Sequence, residues 1–373
     1  MKSILSTLVL SLGLAGAFAA CAADGAGMRE LTSLQLSREM SPGLNLGNTL
    51  EAVPSETAWG NPPANQVVMN AFKAAGFNTV RIPVAWNQHA DADGNISPAW
   101  MTRVTQVVDY ARKAGLYVLI NTHWDGGWAD HPTYAKQAEV NARLTKFWTQ
   151  IAKNFQGYDD HLLFAGTNEV HIEKEYGRPT PENCTVQNSF NQTFVNAVRA
   201  TGGNNARRHL IVQSYNTSHI DALGCNAKLP ADTVPARLMM EVHYYDPFPF
   251  TIDDKSKIWQ WGKIATDPAA TVTWANEPQV DAAFQALKAA FIDKGVPVVL
   301  GEYAVAMKRA YPGMDRYRQY WNEYITGSAV RHGMVPVYWD TGGLFDRKTG
   351  ARKDAVIELI VNAANTADTA KKP

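Results

Sequence analysis

Apolar runs of strand length recur along this chain, separated by helix-like stretches, and that alternation leaves few folds open. The runs occupy 43–47, 77–83, 116–122, 162–168, 209–214, 238–244, 296–301 and 335–339. Helical periodicity fills the gaps at 66–75, 100–114, 139–155, 189–201, 279–294 and 314–331. Met101, Val104, Val107, Val108 and Ala111, for instance, form one stripe of an amphipathic helix. Ala75-Gly76-Phe77 and Ala114-Gly115-Leu116 share a grammar of helix end, left-handed glycine cap and buried strand. The runs are continuous in apolar character, as expected of strands covered on both faces. Eight such strands alternating with helices predict an α/β fold, a single-domain (β/α)8 TIM barrel. A doubly wound open sheet is the rival, weakened because no Gly-rich phosphate loop follows the first run.

Composition narrows the partners. Lys plus Arg and Asp plus Glu number 35 each, so the formal charge is zero and neither nucleic acid nor an anionic membrane is expected. A monomer is the default for such a neutral chain. Lys2, the apolar stretch Ile4 to Phe18 and the small residues around Ala19 read as an export signal. The expected organisation is a signal peptide over 1–23, a barrel over 24–366 and a disordered tail over 367–373, in a secreted or periplasmic protein. Phe18-Ala19-Ala20-Cys21 loosely resembles a lipoprotein processing site, which would give a lipid-anchored form. With Cys21 set aside, Cys184 and Cys225 remain. In an oxidising compartment they read as a disulfide closing a loop of 41 positions. The chain-entropy model assigns such a closure roughly 4 kcal/mol, and two separate buried thiols are the alternative.

The chemistry sits at the ends of the runs. Leu-Leu-Phe-Ala-Gly-Thr-Asn-Glu at 162–169 and Pro-Val-Val-Leu-Gly-Glu-Tyr at 297–303 both carry an apolar run into a glutamate. Buried carboxylates without partners are rare, and two of them facing one another are the minimum needed to cleave a glycosidic bond with retention. In a TIM barrel the active site lies at the C-terminal strand ends. Read there, the second run presents Arg81, the third His123, the fourth Asn168 and Glu169, the sixth His243 and Tyr245, the seventh Glu302 and the eighth Trp339. Trp59, Trp124 and Trp128 fall in loops above that rim, where a flat ring can stack on a sugar. His123, Asp125, Asp130 and His131 lie close in sequence, but their spacing matches no recognised metal-ligand pattern.

Seven ordered phrases carry a resemblance: Gly43-Leu-Asn-Leu-Gly-Asn48, Val80-Arg-Ile-Pro-Val84, Asn121-Thr-His123, Asn168-Glu169, Glu241-Val-His-Tyr-Tyr245, Gly301-Glu302 and Tyr338-Trp339. Together they resemble glycoside hydrolase family 5, the cellulases. The resemblance implies Glu169 as general acid/base, with a raised pKa, and Glu302 as a nucleophile that stays ionised. It implies Arg81 and Tyr245 as holders of that nucleophile and Asn168 as partner of a sugar 2-hydroxyl. His123, His243, Trp339, Asn48 and Trp128 complete the implied substrate-binding set, with no metal and no cofactor. Ala165 and Val170 depart from residues often found in the family, and Trp124 stands where some relatives carry a second His. The expected activity is an exported endo-β-1,4-glucanase acting on cellulose-like or mixed-linkage β-glucan. A xyloglucanase or β-mannanase of the same fold is the enzymatic alternative, and a non-catalytic carbohydrate-binding barrel the other.

Overall fold

The computed structural model describes residues 27–369 apart from 176, 226 and 227; the expected export signal and Cys21 lie outside that range. Eight parallel strands close in chain order into a barrel: β1 Gly43–Asn45, β2 Thr79–Ile82, β3 Tyr117–Asn121, β4 Leu162–Ala165, β5 Leu210–Ser218, β6 Leu238–His243, β7 Val298–Glu302 and β8 Val335–Tyr338. The helices are α1 Ser33–Met40, α2 Gln66–Ala74, α3 Pro98–Lys113, α4 Tyr134–Asn154, α5 Pro181–Arg199, α6 Asp221–Gly224, α7 Phe248–Thr251, α8 Glu277–Ala290, α9 Met314–Arg331 and α10 Val356–Thr369. This is the (β/α)8 barrel that the alternation of runs predicts. Among the described residues no helix is long and apolar enough to cross a membrane.

Local sequence sets the element ends. Thr32 and Gln35 form a reciprocal capping box at α1, and Thr180 with Asn183 does the same for α5, where Pro181 occupies the first turn. Gly76 and Gly115 adopt positive φ just past α2 and α3, the left-handed caps expected of them.

Strand alternation then sorts side chains between two cores. Leu119, Leu163, Ile211, Met239, Val299, Val335 and Val337 pack together inside the barrel, closed from below by Leu36 and Met40 of α1. Val80, Ile82, Val118, Ile120, Phe164, Val212, Val242 and Leu300 join the shell between sheet and helices. The interior parity continues upward into polar residues, so Asn45, Arg81, Asn121, Gln213 and Glu241 point into the upper lumen and are essentially inaccessible. The strands are buried on both faces, as their apolar runs predict; the inner face is apolar in its lower part and turns polar above, on β1, β2, β3, β5 and β6, where it forms the floor of a site.

Two other expectations need correction or completion. The tail was expected to be disordered from 367, yet α10 runs to Thr369, and Ala364 and Ala367 are buried against Val330 of α9. Their small side chains let the last turn lie close to α9, which composition alone does not reveal. Cys184 of α5 and Cys225, just after α6, are joined as a disulfide and pack on Tyr215 of β5. In the segment between β6 and β7, Trp261 is fully buried and Trp259 stacks on Tyr311, with ring centroids 5.5 Å apart. Trp274 of the same segment is exposed.

Candidate active site

Arg81 is the hub of the upper lumen. It is fully buried, its Nη1 donates to Asn45 Oδ1 at 2.8 Å and Glu302 Oε1 at 2.9 Å, and its Nη2 donates to Asn168 Oδ1 at 2.6 Å. Its Nε lies 2.9 Å from Glu241 Oε1 in an ion pair that is buried on both sides. Asn45 in turn donates to the carbonyls of Gly301, Val337 and Tyr338, tying β1 to the two strands that carry Glu302 and Trp339. Glu241 also accepts from Gln213 Nε2 at 2.6 Å. These bonds let the interior hold charge that would otherwise neutralise. The two anions beside Arg81 offset its burial and keep its guanidinium firmly charged.

The two glutamates meet above this floor. The ladder between β6 and β7 shifts register between Val242 and His243, which sets His243 opposite Glu302. A carboxylate oxygen of Glu169, an oxygen of Glu302 and a ring nitrogen of His243 all lie within 4.8 Å of one another. That spacing belongs to retaining glycosidases, whose carboxyl groups are about 5 Å apart, and is too short for the water an inverting enzyme places between them. Glu302 accepts from Arg81 and from the Tyr245 hydroxyl at 3.0 Å, donors that suit a carboxylate kept as an anion for attack. Glu169 is more open, with 39% of its side chain accessible, and its Oε1 lies 2.6 Å from His243 Nδ1.

Electrostatics divides these groups differently from the sequence expectation. Burial works to raise the Glu169 carboxyl, but the hydrogen bond and charge of His243, with Arg81, outweigh it and hold Glu169 below its ordinary value. Burial pushes the Glu302 carboxyl up; His243 and Arg81 oppose that, and the Glu169 charge adds to it. Burial alone would lower His243, yet the charge of Glu302 and the hydrogen bonds to Glu169 and Glu241 raise it from 6.5 to about 9. The three groups titrate as one system, and its proton rests on His243, one hydrogen bond from the Glu169 oxygen that would deliver it. Glu241 is the fixed anion beneath them: burial would raise it, but Arg81 and His243 depress it to about 2.

A pH dependence follows. The folded value of His243 lies above its unfolded one, so the stability it contributes is complete below pH 6.5 and is lost as pH rises through about 9. Melting temperatures measured across that interval should fall, and His243→Gln should flatten the fall. Equal slopes in the two proteins would remove His243 as its source.

Other expected site residues sort unevenly. His123 stacks face to face with Trp339, centroids 5.7 Å apart and planes 8° apart. Burial and the neighbouring Arg81 and His243 charges keep His123 well below its usual value, and hence neutral. Asn48 acts through its main chain: its amide donates to buried Glu51 and its carbonyl accepts from Asn61 at 3.0 Å. Trp128 sits edge-on to Phe147 with Arg143 beside it, in the β3–α4 loop, and lines a cavity with His123 and Asn168. Trp59 and Trp124 are exposed, as stacking platforms must be. Asp125 accepts the amides of Trp86, Asn87 and Gln88, so it is committed to the loop and unsuited to a metal. The Glu169–His243–Glu302 set has metal-like spacing, but a cationic His243 and the Arg81 guanidinium fill the place of a metal charge. Asn45, Gln213, Glu241 and Thr217 went unrecognised as site residues in the sequence. The available signal was a polar residue on the interior parity of an apolar run, together with Gly301, where a Cβ would stand 2.0 Å from Glu241 Oε1.

Known proteins agree with this geometry. Residues 45–344 match the family model described as cellulase, glycosyl hydrolase family 5. A xyloglucan-specific endo-β-1,4-glucanase of Bacteroides ovatus is 45% identical over 367 residues, covering 92% of this chain and 72% of the relative. The structure of a Bacteroides ovatus GH5 xyloglucanase in complex with an XXXG heptasaccharide aligns with a TM-score of 0.88 and 44% identity, over 92% of this chain and 78% of the other. A GH5-4 broad specificity endoglucanase from Bacteroides salanitronis aligns with a TM-score of 0.84 and 36% identity, over 91% and 96% of the two chains.

Proposed function

This chain belongs to glycosyl hydrolase family 5 and is a glycoside hydrolase of the endo-β-1,4-glucanase kind, and on that premise we propose that it cleaves xyloglucan by double displacement. The observation that carries the mechanism is the spacing of the Glu169 and Glu302 oxygens within 4.8 Å, with Arg81 and Tyr245 donating to Glu302. Glu302 attacks the anomeric carbon while Glu169 gives its proton to the departing glycosidic oxygen; the C–O bond to the leaving chain breaks as the ester to Glu302 forms. Glu169, ionised again, then takes a proton from water, whose oxygen displaces Glu302 and restores the anomeric configuration. In the resting site the proton that Glu169 donates sits on His243, 2.6 Å from Glu169; it passes to Glu169 before the glycosidic bond breaks and returns to His243 once water has reprotonated Glu169. Arg81 releases Glu302 from its share of the positive charge as the ester forms, while Glu241 keeps Arg81 paired throughout.

The choice of xyloglucan is supported by the likeness to the xyloglucan-specific enzyme and xyloglucanase of Bacteroides ovatus. The broad-specificity relative favours a second reading, in which mixed-linkage β-glucan is cut as well. Reducing-end release from xyloglucan, barley β-glucan, carboxymethyl cellulose, mannan and xylan separates them. Xyloglucan is expected to exceed carboxymethyl cellulose by roughly 10-fold or more, the scale on which pocket contacts discriminate. Equal rates on barley β-glucan would establish the second reading, and a preference for mannan or xylan would overturn both. Export and a monomeric state complete the proposal: the N-terminal Lys2 and apolar stretch support the first, and the balanced charge supports the second.

A further inference from the structure

The backbone that carries Glu169 is strained and clamped from one side. Glu169 has φ 46°, in the left-handed region that a residue with a Cβ rarely adopts. Such a conformation persists only where its surroundings over-determine it. Three consecutive residues at the end of β5 do so here. The Glu169 amide donates to Thr217 Oγ1 at 2.9 Å, the Asn216 amide donates to Val170 O at 2.8 Å, and the Ile172 amide donates to the Tyr215 hydroxyl at 2.9 Å.

That end of β5 is itself unusual. Its ladder to β6 breaks register between Gln213 and Ser218, and Asn216 and Thr217 both take positive φ, 52° and 47°. A β-branched residue in the left-handed region is an outlier, and Thr217 is also fully buried. The turn swings its hydroxyl onto the Glu169 amide. The Cys184–Cys225 disulfide packs behind it on Tyr215, so the clamp has a covalent backing.

We propose that Thr217 is a positioning residue for the general acid, its hydroxyl holding the Glu169 main chain in the left-handed turn that aims the carboxyl at the glycosidic oxygen. The inference rests on the reading of Glu169 as acid/base.

The test compares two substrates by kcat/KM, which reports the steps up to the glycosyl-enzyme. Xyloglucan needs a proton on its leaving group, whereas a 2,4-dinitrophenyl β-cellobioside releases a stable phenolate without one. Thr217→Val, which keeps shape and loses the hydroxyl, is expected to fall about 10- to 100-fold on xyloglucan, the scale of a misplacement near 1 Å. On the dinitrophenyl glycoside it is expected to fall less than about 3-fold, because proton donation no longer matters there. Thr217→Ser should recover most of the loss. Thr217→Ala is read on the same substrates should valine not fit the turn, and melting curves confirm that each variant is folded. Equal losses on both substrates, or no loss on xyloglucan, would overturn the proposal. Glu169→Gln is the control: should it lack the same leaving-group dependence, the acid/base reading itself fails and takes this inference with it. A dependence present for Glu169→Gln and absent for Thr217→Val overturns the inference alone.

Discussion

Glu302→Gln should abolish glucan hydrolysis, by at least ~10⁴-fold in kcat, because an amide cannot form the ester through which double displacement proceeds. The fold should hardly notice. The amide is nearly isosteric, Arg81 keeps Asn45, Asn168 and Glu241 as partners, and the Tyr245 hydroxyl keeps an acceptor. Removing the Glu302 charge also relieves a carboxylate that burial already pushes upward. We therefore expect the melting temperature to stay within a few degrees while product release disappears. Residual activity near the wild-type level would mean that Glu302 is not the nucleophile. A large loss of stability would mean that its charge, and not only its attack, is built into the fold.

Arg81→Met should cost both activity and stability. It leaves the buried Glu241 and Glu302 without their cation, and removing one member of a buried ion pair typically costs about 3–5 kcal/mol. For a chain of this length that corresponds to a melting temperature lower by about 4–7 °C. The dependence on pH gives the assignment its sign. In the wild type the Glu241 value is depressed to about 2, so its stabilisation is present above the ordinary carboxylate range and is lost as pH falls toward 2. In the variant, burial without Arg81 raises the carboxylates instead, so acid protonates them and relieves the penalty. The stability gap should hence be widest near neutral pH and narrow on acidification, as unfolding curves at several pH values would show. A gap independent of pH would assign the loss to packing of the long side chain and not to its charge.

Much of the site is legible in sequence because strand ends are local features. An apolar run that stops at Asn168-Glu169 or Gly301-Glu302 identifies its own tip, and the barrel rule says where tips converge. Arg81, His243, Tyr245 and Trp339 follow from the same logic; the structure brings the first three onto the acids and stacks Trp339 on His123. Less visible are residues whose importance lies in what they face across the lumen. Glu241 reads as one polar residue in Leu-Met-Met-Glu-Val-His, and its meaning appears only when Arg81 and Gln213 arrive from β2 and β5. Trp128 is legible only as a loop aromatic; that its ring packs edge-on to Phe147 and lines a cavity with His123 and Asn168 appears only in three dimensions.

The sequence by itself determined the alternation of buried strands and helices, the glycine caps that separate them and the identity of the two glutamates. Each of these depends on side-chain period, backbone conformational preference or the cost of an unpaired charge, which act over a few residues. Tertiary structure alone decided where the proton rests, how far apart the acids stand and which turn holds Glu169. Those properties are fixed by groups distant in the chain: the β6–β7 register shift that sets His243 against Glu302, and the β5 end that clamps β4. Coulomb energies and hydrogen bonds depend on separations in space, and in a closed barrel those separations are set by the whole ring of strands.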